Sequence, residues 1–183
     1  MSWSASRIPP PKKILNHIKD TMEQSFTLSQ IKDKTLAYKE FLEAWRSLIA
    51  GESDEICIYA NTSSALKEAF GFFWVGFYIV RKNELVLGPF QGSVACMHIA
   101  KGRGVCGTAW EKQKTIVVPD VDAFPGHIAC SSLSRSEIVV PIIHNTEVIA
   151  VLDIDSKHLN TFDNTDKKYL EIICNEIVSA IYL

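Results

Sequence analysis

The chain is poor in the features that would settle its class at once. Its five cysteines include no Cys-x-x-Cys pair, so a zinc ribbon is not expected. An odd number of them also argues against a structural disulfide framework. No uninterrupted apolar run approaches the length of a membrane span. No apolar stretch follows Met1-Ser2-Trp3-Ser4-Ala5-Ser6-Arg7, so the expectation is a leaderless cytosolic protein with no membrane contact. Positive charge is not in excess: 19 Lys and Arg against 21 Asp and Glu give a formal charge of −2. That leaves no basic footprint for nucleic acid. What is present is apolar material, 47% of 183 residues. It is enough for the core of one compact domain with a short appendage.

Along the chain the hydrophobic period changes twice. Met1 to Lys13, ending in Pro9-Pro10-Pro11, reads as a flexible or polyproline-like tail. Ile14 to about Gly51 shows helical spacing, clearest at Tyr38, Phe41, Leu42, Trp45, Leu48 and Ile49. A second helix is expected from about Ser53 to Phe70, stopped by Gly71. Phe73 to Val80 is aromatic and β-branched, hence strand, and Arg81-Lys82-Asn83 turns it into Glu84–Gly88. Ala95–Ile99 is a further strand. Gly102 to Gly107 is a loop entering a short helix near Trp110. Thr115–Pro119 is strand and Asp120 to Ser134 a long polar loop. Glu137–Ile143 and Val148–Asp155 are strands, and Asp163 caps a last helix. Hairpin-linked strands pair antiparallel. The fold class is therefore α+β: an antiparallel sheet with the terminal helices on one face and a ligand pocket on the other.

Several residues invite chemistry. Gly102-Arg103-Gly104-Val105-Cys106-Gly107 has the G-x-G-x-x-G spacing, but no βαβ unit surrounds it, so a dinucleotide site is rejected. The ordinary reading is a tight turn into a helix. Cys106 would then sit at a helix N-terminus, where exposed N–H groups lower a thiol pKa or bind a carboxylate. Cys130 closes a polar loop that carries Gly and Pro, a poor place for an inert thiol. Cys57 and Cys174 fall in apolar helical patterns and are expected to be buried. Asp153 and Asp155 share one face of a strand by alternation. They are either a strand end in solvent or a pair holding a cation or a proton, and Glu137 opens the neighbouring strand. If partly buried, one of these carboxyls would keep its proton and act as an acid. His17, His98, His127, His144 and His158 show no metal-ligand spacing, so no metal is expected. Trp74, Phe77 and Tyr78 are core for the most part, and those opposite the helices would wall a pocket.

Taken together, Leu87-Gly88-Pro89-Phe90-Gln91-Gly92, Ala95-Cys96, Gly102–Gly107, Pro125–Cys130, Ser136-Glu137-Ile138-Val139 and Val151–Asp155 resemble the free methionine-R-sulfoxide reductase family of GAF-domain enzymes. The resemblance covers about Tyr38 to the C-terminus. It implies residues 36–183 as a GAF-type catalytic domain and residues 1–35 as an extension. It implies a nucleophile at Cys130, with Cys96 as first choice and Cys106 as second choice of resolving thiol. Glu137 or Asp155 would be the acid, and Glu137, Asp153 and Asp155 would hold the substrate's ammonium group. Trp74 and Tyr78 would form an aromatic wall, and the backbone N–H groups at Val105 and Cys106 would receive the carboxylate. The implied substrate is free methionine sulfoxide. No cofactor is bound, and thioredoxin or another dithiol is the reductant. Association into a homodimer is compatible with this. The competing class is a GAF sensory module that binds a small ligand without turnover.

Overall fold

A computed structural model describes residues 32–127 and 132–183. The expected tail, the helical spacing before residue 32 and Cys130 lie outside the described residues. Helix α1 spans Lys34–Ile49. Its N-cap Asp33 accepts from the Leu36 N–H at 3.0 Å. Ala37, Tyr38, Phe41, Leu42, Trp45 and Ile49 recur at helical spacing and are its buried stripe. Helix α2 spans Glu55–Phe70, capped by Asp54 and ended by Gly71 in the left-handed conformation. Caps of this kind are each worth about 0.5–2 kcal/mol.

Strands β1 (Trp74–Arg81) and β2 (Glu84–Gln91) form the first hairpin. The short β3 (His98–Ala100), helix α3 (Gly104–Lys112) and β4 (Ile116–Val118) follow. A 3-10 turn at Val121–Ala123 opens the long loop. Strands β5 (Ser136–His144) and β6 (Glu147–Ser156) form the last hairpin, and α4 (Asn164–Tyr182) closes the chain. Asp163 caps α4 through a capping box with Asp166. The sheet order is β3-β2-β1-β6-β5-β4, and every pairing is antiparallel.

The two faces of the sheet carry different clusters. On one face Val75, Phe77, Ile79, Ile138, Val140, Leu152 and Ile154 meet Trp45, Tyr59, Leu66, Leu170 and Ile173 of α1, α2 and α4. On the other, Trp74, Tyr78, Val139 and Val151 pack with Val105, Ala109 and Trp110 of α3. So the terminal helices share one face as expected, and α3 covers only part of the second.

Of the three aromatics on β1, Phe77 belongs to the helical face, stacked on Tyr59, which leaves Trp74 and Tyr78 on the other face to wall a pocket, as expected. Three local expectations need correction. Cys57 is exposed, while Cys174 is buried: Asp54 caps α2 so that Cys57 stands in its first turn on the solvent side. Residues 95–97 are not strand: the Cys96 carbonyl is taken by the Tyr78 hydroxyl, and backbone pairing with β2 begins only at the Met97 carbonyl, which accepts from the Leu87 N–H. Finally, α3 begins at Gly104, inside the stretch expected to be loop. An added Cβ at Gly107 would strike the Ala100 carbonyl, so that glycine marks a close approach of helix to strand and not an open turn.

Candidate active site

Strand register builds the site. Glu137 on β5 lies directly opposite Asp155 on β6. Asp153, two residues along the same face, lies opposite Gly76 on β1, and Trp74 opposite Asp155. All three carboxyls therefore point to the face that α3 covers incompletely. Gly76 adds no side chain there. A Cβ at that position would collide with the Trp74 indole and with Phe90, and one at Gly92 would also meet the indole. The ring is thus clamped between two glycines, with Tyr78 and Phe90 stacked beside it.

The loop after β2 is fastened to this wall by two hydrogen bonds. Trp74 Nε1 donates to the Ser93 carbonyl and Tyr78 Oη to the Cys96 carbonyl, each at 3.0 Å. Opposite, the first turn of α3 brings up Val105 and Cys106. The resulting pocket is lined by Trp74, Tyr78, Val105, Cys106, Glu137, Asp153 and Asp155, together with Arg103, His127 and Ser134. Every sequence-predicted site residue on β1, α3, β5 and β6 meets in this one cavity. Cys96 stands beside it, next to the lining residue Ala95. It is disulfide-bonded, whereas Cys57, Cys106 and Cys174 are free thiols.

The electrostatics follow from burial. Glu137 is 6% exposed and Asp153 7%. Burial, then the neighbouring carboxyls, pushes Glu137 well above the usual carboxylate range. Asp153 is also pushed well up, by burial and Asp155, while Cys106 and Glu137 bear on its carboxyl as hydrogen-bonding neighbours. Its Oδ1 is buried with no hydrogen-bond partner among the described residues. Burial raises Asp155 to about 6, against the pull of a hydrogen bond from Ser134, whose hydroxyl donates at 2.6 Å. These are not solvated strand ends. They are a coupled set that keeps at least one proton near neutral pH.

The same surroundings correct one reading of Cys106. Burial and then Asp153 and Glu137 push its thiol well up, so the helix N-terminus does not make it a ready thiolate. The other reading, an anion site on the first amides of α3, fits the geometry. The first intrahelical bond of this end comes from the Gly107 N–H to Arg103 O, and no side chain caps it. His127 Nε2 lies 3.9 Å from Glu137 Oε2, and burial lowers the imidazole pKa.

Sequence reasoning missed Ser134 and Arg103 as pocket residues. Ser134 is one of four serines in residues 131–136 and carries no signal of its own. Arg103 was legible, as the single cation inside the glycine motif.

A fold with a small-ligand pocket on one face of an antiparallel sheet and helices on the other defines a GAF domain, and the GAF domain profile matches residues 55–181. "GAF domain-containing protein A" of Dictyostelium discoideum is 59% identical over 134 residues, 73% of this chain and 85% of its own length. The free methionine-R-sulfoxide reductase of Escherichia coli is 43% identical over 150 residues, 81% of this chain and 91% of its own. The crystal structure of free methionine-R-sulfoxide reductase from Neisseria meningitidis in complex with its substrate superposes with a TM-score of 0.81. It is 53% identical and covers 83% of this chain and 92% of its own. The chain belongs to the free methionine-R-sulfoxide reductase family of GAF-domain proteins.

Proposed function

We propose that the chain reduces free L-methionine (R)-S-oxide to L-methionine. The observation that carries this is the convergence of two buried carboxyls, Glu137 and Asp153, the half-buried Asp155, an aromatic wall and the first turn of α3 on one pocket beside Cys96. Each charged end of a free amino acid has a counterpart there. The carboxyl set, with the unpartnered Asp153 Oδ1, meets the ammonium group. The amides at Val105 and Cys106 meet the carboxylate, and Trp74 and Tyr78 enclose the thioether end. A methionine within a polypeptide has neither free terminus to offer.

The Cys130 thiolate attacks the sulfoxide sulfur, and Glu137 or Asp155 protonates the departing oxygen. As the substrate S–O bond breaks, the protonated oxygen passes to the Cys130 sulfur, which is oxidised by two electrons to a sulfenic acid, and the electron pair stays on the substrate sulfur, so methionine leaves. A second thiol then displaces the sulfenic oxygen as water and forms a disulfide. Cys96 is favoured for this step, because it is already disulfide-bonded while Cys106 is a free thiol held among carboxyls. Thioredoxin or another dithiol regenerates the enzyme by exchange. Residues 36–183 form the catalytic domain, and residues 1–35 are an extension to it. No helix among the described residues is long and apolar enough to cross a membrane, which suits a cytosolic enzyme.

The test is turnover of the two free sulfoxide epimers with dithiothreitol as reductant. Methionine should form from the epimer that is R at sulfur and not from the S epimer, and peptide-bound sulfoxide should be a very poor substrate. Equal rates from both epimers, or no product, would refute the assignment.

A further inference from the structure

Cys106, Glu137 and Asp153 come from α3, β5 and β6, and their donor atoms all lie within 4.8 Å of one another. A tetrahedral ion with bonds of about 2.0–2.3 Å holds its ligands roughly 3.5 Å apart, so small side-chain rotations would close this set around one ion. The second observation is Asp153 Oδ1, buried in the pocket without a hydrogen-bond partner among the described residues. A carboxylate oxygen so placed is stabilised by a proton, a donor or a cation that comes to it, and a cation serves both buried carboxyls at once.

An ammonium group satisfies that oxygen but gains nothing from a thiol. A sulfur beside two carboxylates is a different matter. Mg²⁺ and Ca²⁺ want oxygen alone, whereas Zn²⁺ takes mixed sulfur, nitrogen and oxygen sets. His127, whose Nε2 stands 3.9 Å from Glu137 Oε2 and which lines the same pocket, is a candidate for a fourth ligand. We propose that the pocket binds a thiophilic divalent cation of the Zn²⁺ class through Cys106, Glu137 and Asp153, and that this ion and the free amino acid exclude one another. The binding stands on the donor set alone. The exclusion rests on the reading that the pocket takes free methionine sulfoxide.

Co²⁺ is the probe, titrated into the full-length disulfide form of Cys57→Ala without added thiol, so that Cys96 and the exposed Cys57 cannot ligate. A near-ultraviolet thiolate-to-cobalt band should saturate at a single equivalent and be displaced by Zn²⁺. Cys106→Ser should abolish the band. Asp153→Asn, which keeps the side chain's volume, should weaken Co²⁺ binding by about tenfold or more, since even outer-shell partners are worth that much. Free methionine, which is not oxidising, should raise the apparent Co²⁺ Kd in proportion to its concentration.

No band, or an undiminished band in Cys106→Ser, overturns the site. A band indifferent to saturating methionine overturns the exclusion. If Cys106→Ser does not fold, Asp153→Asn at wild-type affinity still refutes the proposal. Turnover without a cobalt band leaves the reductase reading intact and removes only the metal. A cobalt band without turnover does the reverse.

Discussion

Replacing Asp155 by asparagine keeps the shape of the side chain and its acceptance of the Ser134 hydroxyl, and removes only the charge. In the folded protein this carboxyl titrates at about 6 instead of 3.8. The folded state therefore holds its proton more tightly than the unfolded chain. Such a group contributes stability below pH 4, and that contribution is lost as pH rises toward and past 6. A shift of about two pH units at about 1.4 kcal/mol per unit amounts to roughly 3 kcal/mol lost by neutral pH. Glu137 and Asp153 are raised too and act in the same sense, so the comparison must be wild type against Asp155→Asn. Urea unfolding of the reduced proteins at pH 4.5 and pH 7.5 reads the difference directly. The variant should gain on wild type by about 2 kcal/mol between the two pH values, since about 1 kcal/mol is already lost at pH 4.5, with unchanged dependence on urea concentration. Free methionine should recover part of this for wild type alone, because its ammonium group offsets the buried charge. If the two proteins lose stability in parallel, Asp155 is not a desolvated carboxyl, and the case for a proton held at this site loses Asp155.

The other variants probe chemistry and shape. Glu137→Gln should slow the single-turnover reductive step by about 10²–10⁴-fold, the usual worth of a general acid. Asp153→Asn should weaken methionine binding more than it slows chemistry, and stopped-flow single turnovers separate the two. Cys130→Ser should abolish even one turnover. Cys96→Ser should release about one methionine per enzyme and then stall, because sulfenic acid formation needs only the nucleophile; a steady wild-type rate would contradict Cys96 as resolving thiol. Gly76→Ala puts a Cβ into the Trp74 ring and should cost about 1–3 kcal/mol as overpacking and raise the KM for the sulfoxide. An unchanged KM would mean that the indole does not wall the substrate.

Much of the fold was legible because period and punctuation agreed. The stripe from Tyr38 to Ile49 and the turn at Lys82-Asn83 are local signals, and the structure keeps them. Failures came where tertiary contact overrode local pattern. Ile56, Cys57 and Ile58 look alike in sequence, yet only Ile58 reaches the core, because three consecutive helical residues cannot face one way. The glycines of 102–107 read as loop, but Gly107 is there so that α3 can lie against Ala100. Strand β2 runs on to Gln91 through Pro89, because its register to β1 shifts between Gly76 and Tyr78, and a bulge tolerates a residue without an N–H.

The carboxyl cluster shows why alternation exposed the site although spacing motifs did not. Along β6, Leu152 and Ile154 enter the helix-covered core while Asp153 and Asp155 enter the opposite face. On an open sheet that second face would be solvent and the pattern unremarkable. Here α3, with His127 and Ser134, covers it, so that Asp153 is buried and Asp155 half-buried on the acidic side of a strand whose other side is wholly core. Sequence could supply the alternation but not the cover, since α3 arrives from a stretch whose glycines hide the helix. Bringing three carboxyls together in one pocket, two of them buried, destabilises the folded chain unless a cation or a proton joins them. That penalty favours a ligand that brings its own positive charge, and the amides of α3 favour one with an anionic end as well.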